Sequence, residues 1–316
     1  MKCLTLSNEN DILACVKSLM KEPQDHVKLH IVEALVELAK TLTAQKHSSA
    51  IIPFLKTLAE DNSWRVKYTV ADKIVDLGKA LGKQICKQNL LVYFLSFIQD
   101  SEVELKSIGA LRMAKFCELL DDSDIIQKVI PCLGNLAKDN TQHVRASLAE
   151  SLLALCPLVG KKATNDHILQ IFLLLLRDES SDVRMNLFKH LDDITKIIDL
   201  DSLSQSLFPA LNELASDKNW RVRASAIDFL AFFAKKMGSD FLNEKYSKLM
   251  VDWLSDRVFG VREAAIAAVK DLTSILGSNW AEKTLIPKIG HLQQNSNYLH
   301  RMTVVFVLQV IQMRFC

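Results

Sequence analysis

Apolar residues recur along this chain at helical spacing, and the spacing is interrupted on a fixed schedule. Between Ser49 and Gly82, the residues Ile51, Ile52, Phe54, Leu55 and Leu58 mark one face of a first helix. Asp61-Asn62-Ser63 then breaks the pattern with three residues that favour caps and turns. From Trp64 a second helix turns Val66, Val70, Ala71, Ile74, Val75 and Leu77 inward. Gly82 ends it, with Lys79 and Lys83 nearby, as a helix C-terminus prefers. The unit is a helical hairpin. No alternating strand pattern appears, and the chain holds 9 glycines for all its turns.

The hairpin repeats every 39 residues. Basic residues keep that interval at Lys28, Lys67, Lys106, Arg145, Arg184, Arg223, Arg262 and Arg301. Six residues before each stand Glu22, Asp61, Asp100, Asp139, Asp178, Asp217, Asp256 and Asn295. A fixed period near 40 means stacked copies of one supersecondary unit. The prediction is a single all-α solenoid over residues 1–316, with antiparallel helix pairs and a right-handed superhelical twist. Its units fall at about 9–46, 47–86, 87–125, 126–164, 165–203, 204–242, 243–281 and 282–316, the last incomplete. The expected core includes Leu55, Val66, Ile74, Val144, Leu152, Leu174, Val183, Leu211, Val222 and Val261. Pro53, Pro131, Pro209 and Pro287 sit inside the first helices, where proline removes a backbone bond and is expected to bend them.

Composition changes this picture little. With 39 basic and 37 acidic residues the net charge is +2, too even to predict a nucleic-acid partner. The most apolar stretches, Ile168 to Leu176 and Thr303 to Met313, are shorter than the roughly 20 residues a membrane-spanning helix needs. No apolar signal core opens the chain, so no membrane association is expected. The 7 cysteines are odd in number, form no C-x-x-C and mostly sit in apolar helical patterns. They read as reduced thiols packed as small hydrophobes, in the cytoplasm or the nucleus.

No candidate chemistry emerges: no catalytic residue, no cofactor site and no metal site is predicted. His26 and His30 share a helix face but lack a nearby carboxylate constellation. The acidic run Glu118, Asp121, Asp122 and Asp124 lacks the glycine and alternating oxygens of a calcium loop. It reads as a link that caps the helix at Ile125. The recurring Asp and basic positions read as ion pairs at the hairpin turns, with Asp139, Asp178 and Asp217 reached by Arg145, Arg184, Arg223 or Arg262.

The informative differences lie three residues after each Asp position: Asp25, Trp64, Val103, Gln142, Ser181, Trp220, Phe259 and Tyr298. Trp220, Phe259 and Tyr298 are aromatic in three successive units, which at 8–10 Å between packed helices spans roughly 20 Å. Arg65 follows Trp64 and Arg221 follows Trp220. Aromatic residues beside arginine are common interface anchors, although the rings could also fold back onto the next turn as local packing.

The bent first helix, the Asp eight residues on, the Val five further and the basic residue after it together resemble the HEAT repeat. The strings Asn62 to Lys73, Leu203 to Ala210, Lys218 to Arg223 and Asn297 to Thr303 resemble the scaffold (A) subunits of protein phosphatase type 2A, over about the sixth to thirteenth repeats of that family. The resemblance implies a non-catalytic scaffold whose hairpin-turn ridge holds a Ser/Thr protein phosphatase catalytic subunit and a variable regulatory (B-type) subunit. Carried over by position, Trp220, Arg221, Phe259 and Tyr298 would meet the catalytic subunit, and Trp64 and Arg65 a regulatory subunit. The other reading is a TOG-like tubulin-binding array or another protein-interaction adaptor. Basic residues should then dominate the turns, yet Asp25, Glu102, Glu104 and Asp182 stand there. The helix from Thr303 to Met313 is apolar on nearly all sides, so self-association through uncapped ends is also expected.

Overall fold

The computed structural model describes residues 9–43, 47–188, 211–227 and 247–312, with the isolated positions 197 and 209. Among them there are helices, turns and bends but no strand. The described helices fall into two compact units, one within Met1–Leu175 and the other within Leu176–Phe188 and Ile198–Cys316. In the first unit the pairs are Glu9–Leu19 with Asp25–Thr41, Ile52–Ala59 with Trp64–Leu81, Leu91–Ile98 with Val103–Cys117, and Ile130–Ala137 with Gln142–Leu152. Their second helices pack in series, Asp25–Thr41 on Trp64–Leu81, that on Val103–Cys117, and that on Gln142–Leu152. In the second unit Ser247–Leu254 pairs with Phe259–Leu276, which packs on Tyr298–Gln312.

The hairpin core is apolar and closely filled. Leu55, Val66, Ile74, Val144, Leu152, Val183, Leu211, Val222 and Val261 are all buried, as the helical spacing predicts. Phe94 of one helix stacks on Phe116 of its partner with ring centroids 4.4 Å apart. Leu174 is the exception: it is 43% exposed. In Leu169–Leu176 the buried stripe is Phe172, Leu175 and Leu176, continuing from Ile168 in the turn before it, and Leu174 lies off it. An eight-residue run that is nearly all apolar carries no phase of its own. The neighbouring repeats do carry it: 39 and 78 residues earlier stand Asn135 and Ser96, and 39 and 78 later Glu213 and Asp252.

A feature that does not depend on proline marks the start of the first helices. A single wide turn, closed by N–H to C=O bonds five residues back, recurs at the repeat interval. Its bonds run from Leu91 to Cys86, Ile130 to Ile125, Leu169 to Thr164 and Ile286 to Ala281. The turn is present where the proline position holds Val92 or Gln170. Pro53, Pro131 and Pro287 fall in the first turn of the α-helix that follows, where a missing N–H costs little. The second helices Trp64–Leu81 and Phe259–Leu276 close on glycine: Gly82 and Gly277 have φ of 88° and 84°, a region that side chains disfavour.

The charged positions form a directional ladder. Lys28 meets Asp61 at 2.8 Å and Lys67 meets Asp100 at 3.3 Å; Lys106 likewise pairs with Asp139. Arg223 grips Asp256 with two bonds, Nε at 2.7 Å and Nη2 at 2.8 Å. Each rung runs from the basic residue of one pair to the carboxylate of the next. The arginines do a second job that lysine cannot, donating Nη1 to the carbonyl that opens their own turn. Arg145 reaches Asp139 O, Arg223 reaches Asp217 O, Arg262 reaches Asp256 O and Arg301 reaches Asn295 O, each at 2.7 Å. Arg184 does the same to Asp178 O. The expectation for Asp139 and Asp217 therefore needs correcting in kind: their own-unit arginine takes the main-chain oxygen, and the Asp139 carboxylate goes to Lys106.

Candidate interaction ridge

The turns are built alike. The Asp side chain accepts the N–H two residues on: Asp61 from Ser63, Asp100 from Glu102, Asp139 from Thr141, Asp178 from Ser180, Asp217 from Asn219 and Asp256 from Val258. Asn295 does the same for Asn297. A carboxylate there satisfies a backbone donor at a helix N-terminus and complements its dipole. The second helix begins one residue later, at Trp64, Val103, Gln142, Ser181, Phe259 and Tyr298. The variable position is thus the first residue of each second helix, held outward at the hairpin edge.

Burial alone would raise the carboxyl pKa values of Asp61, Asp100, Asp139 and Asp256. The lysine or arginine of the preceding pair and the N–H of the turn outweigh it, holding all four below the usual carboxylate range. The ridge is therefore anchored by ionised aspartates at neutral pH.

On that frame the sequence-predicted residues take definite positions. The guanidinium of Arg65 lies over the Trp64 ring, 4.7 Å from its centroid, and Arg221 lies over Trp220 at 4.6 Å. Both tryptophans are half-buried and both arginines exposed. Phe259 and Tyr298 are each 58% exposed, and the buried Arg262 guanidinium sits 5.6 Å from the Phe259 ring.

Trp220 and Phe259 are brought together through Gly260. A Cβ on Gly260 would stand 2.8 Å from Cζ3 of Trp220, so the indole rests on the backbone of the next turn. The ring's Cε3–Cζ3–Cη2 edge packs on Gly260, and the Arg221 guanidinium lies over the ring. The sequence analysis allows a ring to fold back onto the next turn but does not single out the glycine that receives it. The signal is glycine in the position that holds Arg65, Glu104, His143, Asp182, Arg221 and Leu299 in other units.

Trp64 and Arg65 form their stacked pair in the first compact unit, and Trp220, Arg221, Phe259 and Tyr298 lie in the second.

Elsewhere the candidate chemistry resolves into surface and core. His30 is exposed and its Nδ1 lies 3.4 Å from Glu33. Asp121 and Asp124 both hold Lys87, at 2.7 and 2.8 Å, and Asp124 also takes Lys128 at 2.8 Å. Among the described residues no His, Cys, Asp or Glu side chains group as metal ligands, and no helix is long and apolar enough to cross a membrane. Cys86 and Cys117 are buried free thiols, Cys156 is buried as well, and burial pushes the Cys86 thiol up to about 12.

Known proteins share this architecture. A family model for the PPP2R1A-like HEAT repeat matches residues 83–160, and one for HEAT repeats matches residues 168–270. The fold is similar to importin beta, with a TM-score of 0.63 at 14% identity, over 96% of this chain and 42% of that one. It is similar also to the karyopherin Kap121p, solved bound to the SUMO protease Ulp1p, with a TM-score of 0.61 at 15% identity, over 96% of this chain and 34% of that one. The chain spans less than half the length of either, and at such identity the likeness establishes the fold alone. No curated relative matches the sequence. The matched segments are HEAT repeats and the fold is an all-α solenoid, an architecture that typically serves as a non-catalytic, protein-binding scaffold.

Proposed function

We propose that this chain is a scaffold for a Ser/Thr protein phosphatase, binding a catalytic subunit through Trp220, Arg221, Phe259 and Tyr298 and a regulatory subunit at Trp64 and Arg65. The observation that carries the reading is the ridge itself. Two tryptophans at the start of second helices are each covered by the arginine that follows, and two further rings stand open at equivalent positions. Tryptophan, tyrosine and arginine are the residues that dominate binding energy at interfaces. A cation over an indole is also already positioned, so little side-chain entropy remains to be lost on docking. The match of residues 83–160 to a PPP2R1A-like HEAT repeat is consistent with that choice of partner. Such a scaffold works in the cytoplasm or nucleus and carries out no chemistry; it fixes two other subunits in one geometry.

The test is capture of partners from a native lysate on the immobilised chain, repeated with Trp220→Ala and Trp64→Ala. Recovery of a phosphatase catalytic subunit that is lost with Trp220→Ala, and of a regulatory subunit lost with Trp64→Ala, is expected. Tubulin in place of a phosphatase would replace this reading with that of a tubulin-binding array.

A further inference from the structure

One rung of the ladder is missing where the sequence calls for it. Arg184 should meet Asp217 as Arg223 meets Asp256, 33 residues on in both cases. Instead its Nε donates to the hydroxyl of Ser225 at 3.2 Å, and its Nη1 to Asp178 O. Its Nη2 has no hydrogen-bond partner, although the side chain is fully buried. The Asp217 carboxylate, close enough for its charge to act on this guanidinium, is occupied with the N–H of Asn219 at 2.6 Å.

The cause is a single residue. Ser225 is buried on the second helix of the sixth pair and donates its own proton to Val222 O at 2.8 Å, which leaves its oxygen lone pairs for Arg184. Thirty-nine residues later the same position is Ala264, which offers nothing, and Arg223 goes to its aspartate. A neutral hydroxyl has diverted a buried cation from a charge-assisted, two-bond partner, the stronger kind of contact.

We propose that Ser225 makes the joint between the helix Ser181–Phe188 and the helix that carries Trp220 a two-position latch, open with Arg184 on Ser225 and closed with Arg184 on the Asp217 carboxylate. Asp217 opens the turn that carries Trp220 and Arg221, so closing the latch ties that turn to the preceding pair. The unpaired Nη2 in the open position is the reason the two positions lie close in free energy, since an unsatisfied buried donor offsets part of what the hydroxyl supplies. The latch belongs to the chain alone and does not depend on which partner the ridge binds.

The experiment compares Ser225→Ala, Ser225→Thr, Asp217→Asn and the double variant Ser225→Ala/Asp217→Asn by thermal unfolding and by hydrogen exchange at Asn219 to Arg221. Ser225→Ala deletes a buried hydrogen bond and is nevertheless expected to raise the unfolding midpoint by about 2 °C and to slow exchange in the turn several-fold. Ser225→Thr keeps the hydroxyl and should behave as the parent. Asp217→Asn keeps the N–H cap, as Asn295 does naturally, and should abolish the gain in the double variant. A midpoint unchanged or lowered by Ser225→Ala would overturn the latch. So would a gain that persists beside Asp217→Asn, because the effect would then be packing.

Discussion

At the scale of single residues, the ridge depends on one glycine as much as on its aromatic rings. The indole of Trp220 occupies the space where a side chain at 260 would begin. Gly260→Ala forces the ring off its seat, and overpacking of this kind costs about 1–3 kcal/mol. Chemical denaturation should show that loss, and the Trp220 fluorescence should shift because the indole becomes more exposed. Arg221→Ala should leave stability within about 0.5 kcal/mol, since the guanidinium is exposed and only covers a ring. The thiols divide in the same local way. Burial raises the Cys86 thiol to about 12 and raises the Cys117 thiol as well, while Cys15 is exposed. Alkylation at about pH 8 should mark Cys15 first and leave Cys86 and Cys117 unmodified until the chain unfolds, as peptide mass mapping would report.

At the scale of elements, the turn is a small machine with an electrostatic dependence. The basic residue of the preceding pair and the turn N–H hold the carboxyl groups of Asp61, Asp100, Asp139 and Asp256 below the ordinary carboxylate range in the folded chain. Groups depressed in this sense contribute stability that is fully present above the unfolded value and is lost as pH falls through the folded one. Unfolding free energy should therefore be flat from about pH 7 to about pH 5 on their account, and decline steeply below about pH 4. Asp256→Asn, which keeps the turn cap but loses the two bonds from Arg223, should make that acid decline shallower. The helix ends set a second expectation. Gly277→Ala places a side chain at φ 84° and should cost about 1 kcal/mol by denaturant unfolding. Gly134→Ala, in a helix with open space around it, should not destabilise.

At the scale of the whole molecule, the 39-residue period makes the fold legible from the sequence. Helix pairs, the turn at each Asp and nine of ten named core positions follow from it, because burial imposes the same spacing on every copy. What the period hides is how one copy differs from the next. Leu174 is misplaced by the spacing because a run of leucines has no polar side to orient it, although Asn135 and Glu213 in the adjacent copies fix its face. The prolines are visible in the sequence, whereas the wide turn before them, closed by a five-residue hydrogen bond, is not. The aromatic ridge can be read as residue types at a fixed position, but the seat of Trp220 on Gly260 and the capture of Arg184 by Ser225 are contacts between copies. They depend on side-chain reach rather than periodicity.

The helix Tyr298–Gln312 exposes Met302, Val305, Phe306 and Leu308. In other copies the position of Val305 is buried as Ala71, Ala110 and Ala149 and half-buried as Ile266, and that of Leu308 is buried as Ile74, Met113 and Leu152. Apolar surface of this kind favours association. Sedimentation velocity should show mass rising with concentration, and Val305→Glu with Leu308→Glu should abolish the rise.

The most direct test of the scaffold reading is the affinity of the purified chain for a type 2A phosphatase catalytic subunit, measured by calorimetry for the parent and for Trp220→Ala. Circular dichroism would first establish that the variant keeps its helices. A scaffold that binds through this ridge predicts saturable binding by the parent and a loss of about 2 kcal/mol or more in the variant, roughly thirty-fold in affinity. No binding by the parent, or equal affinity in a folded Trp220→Ala variant, would contradict it.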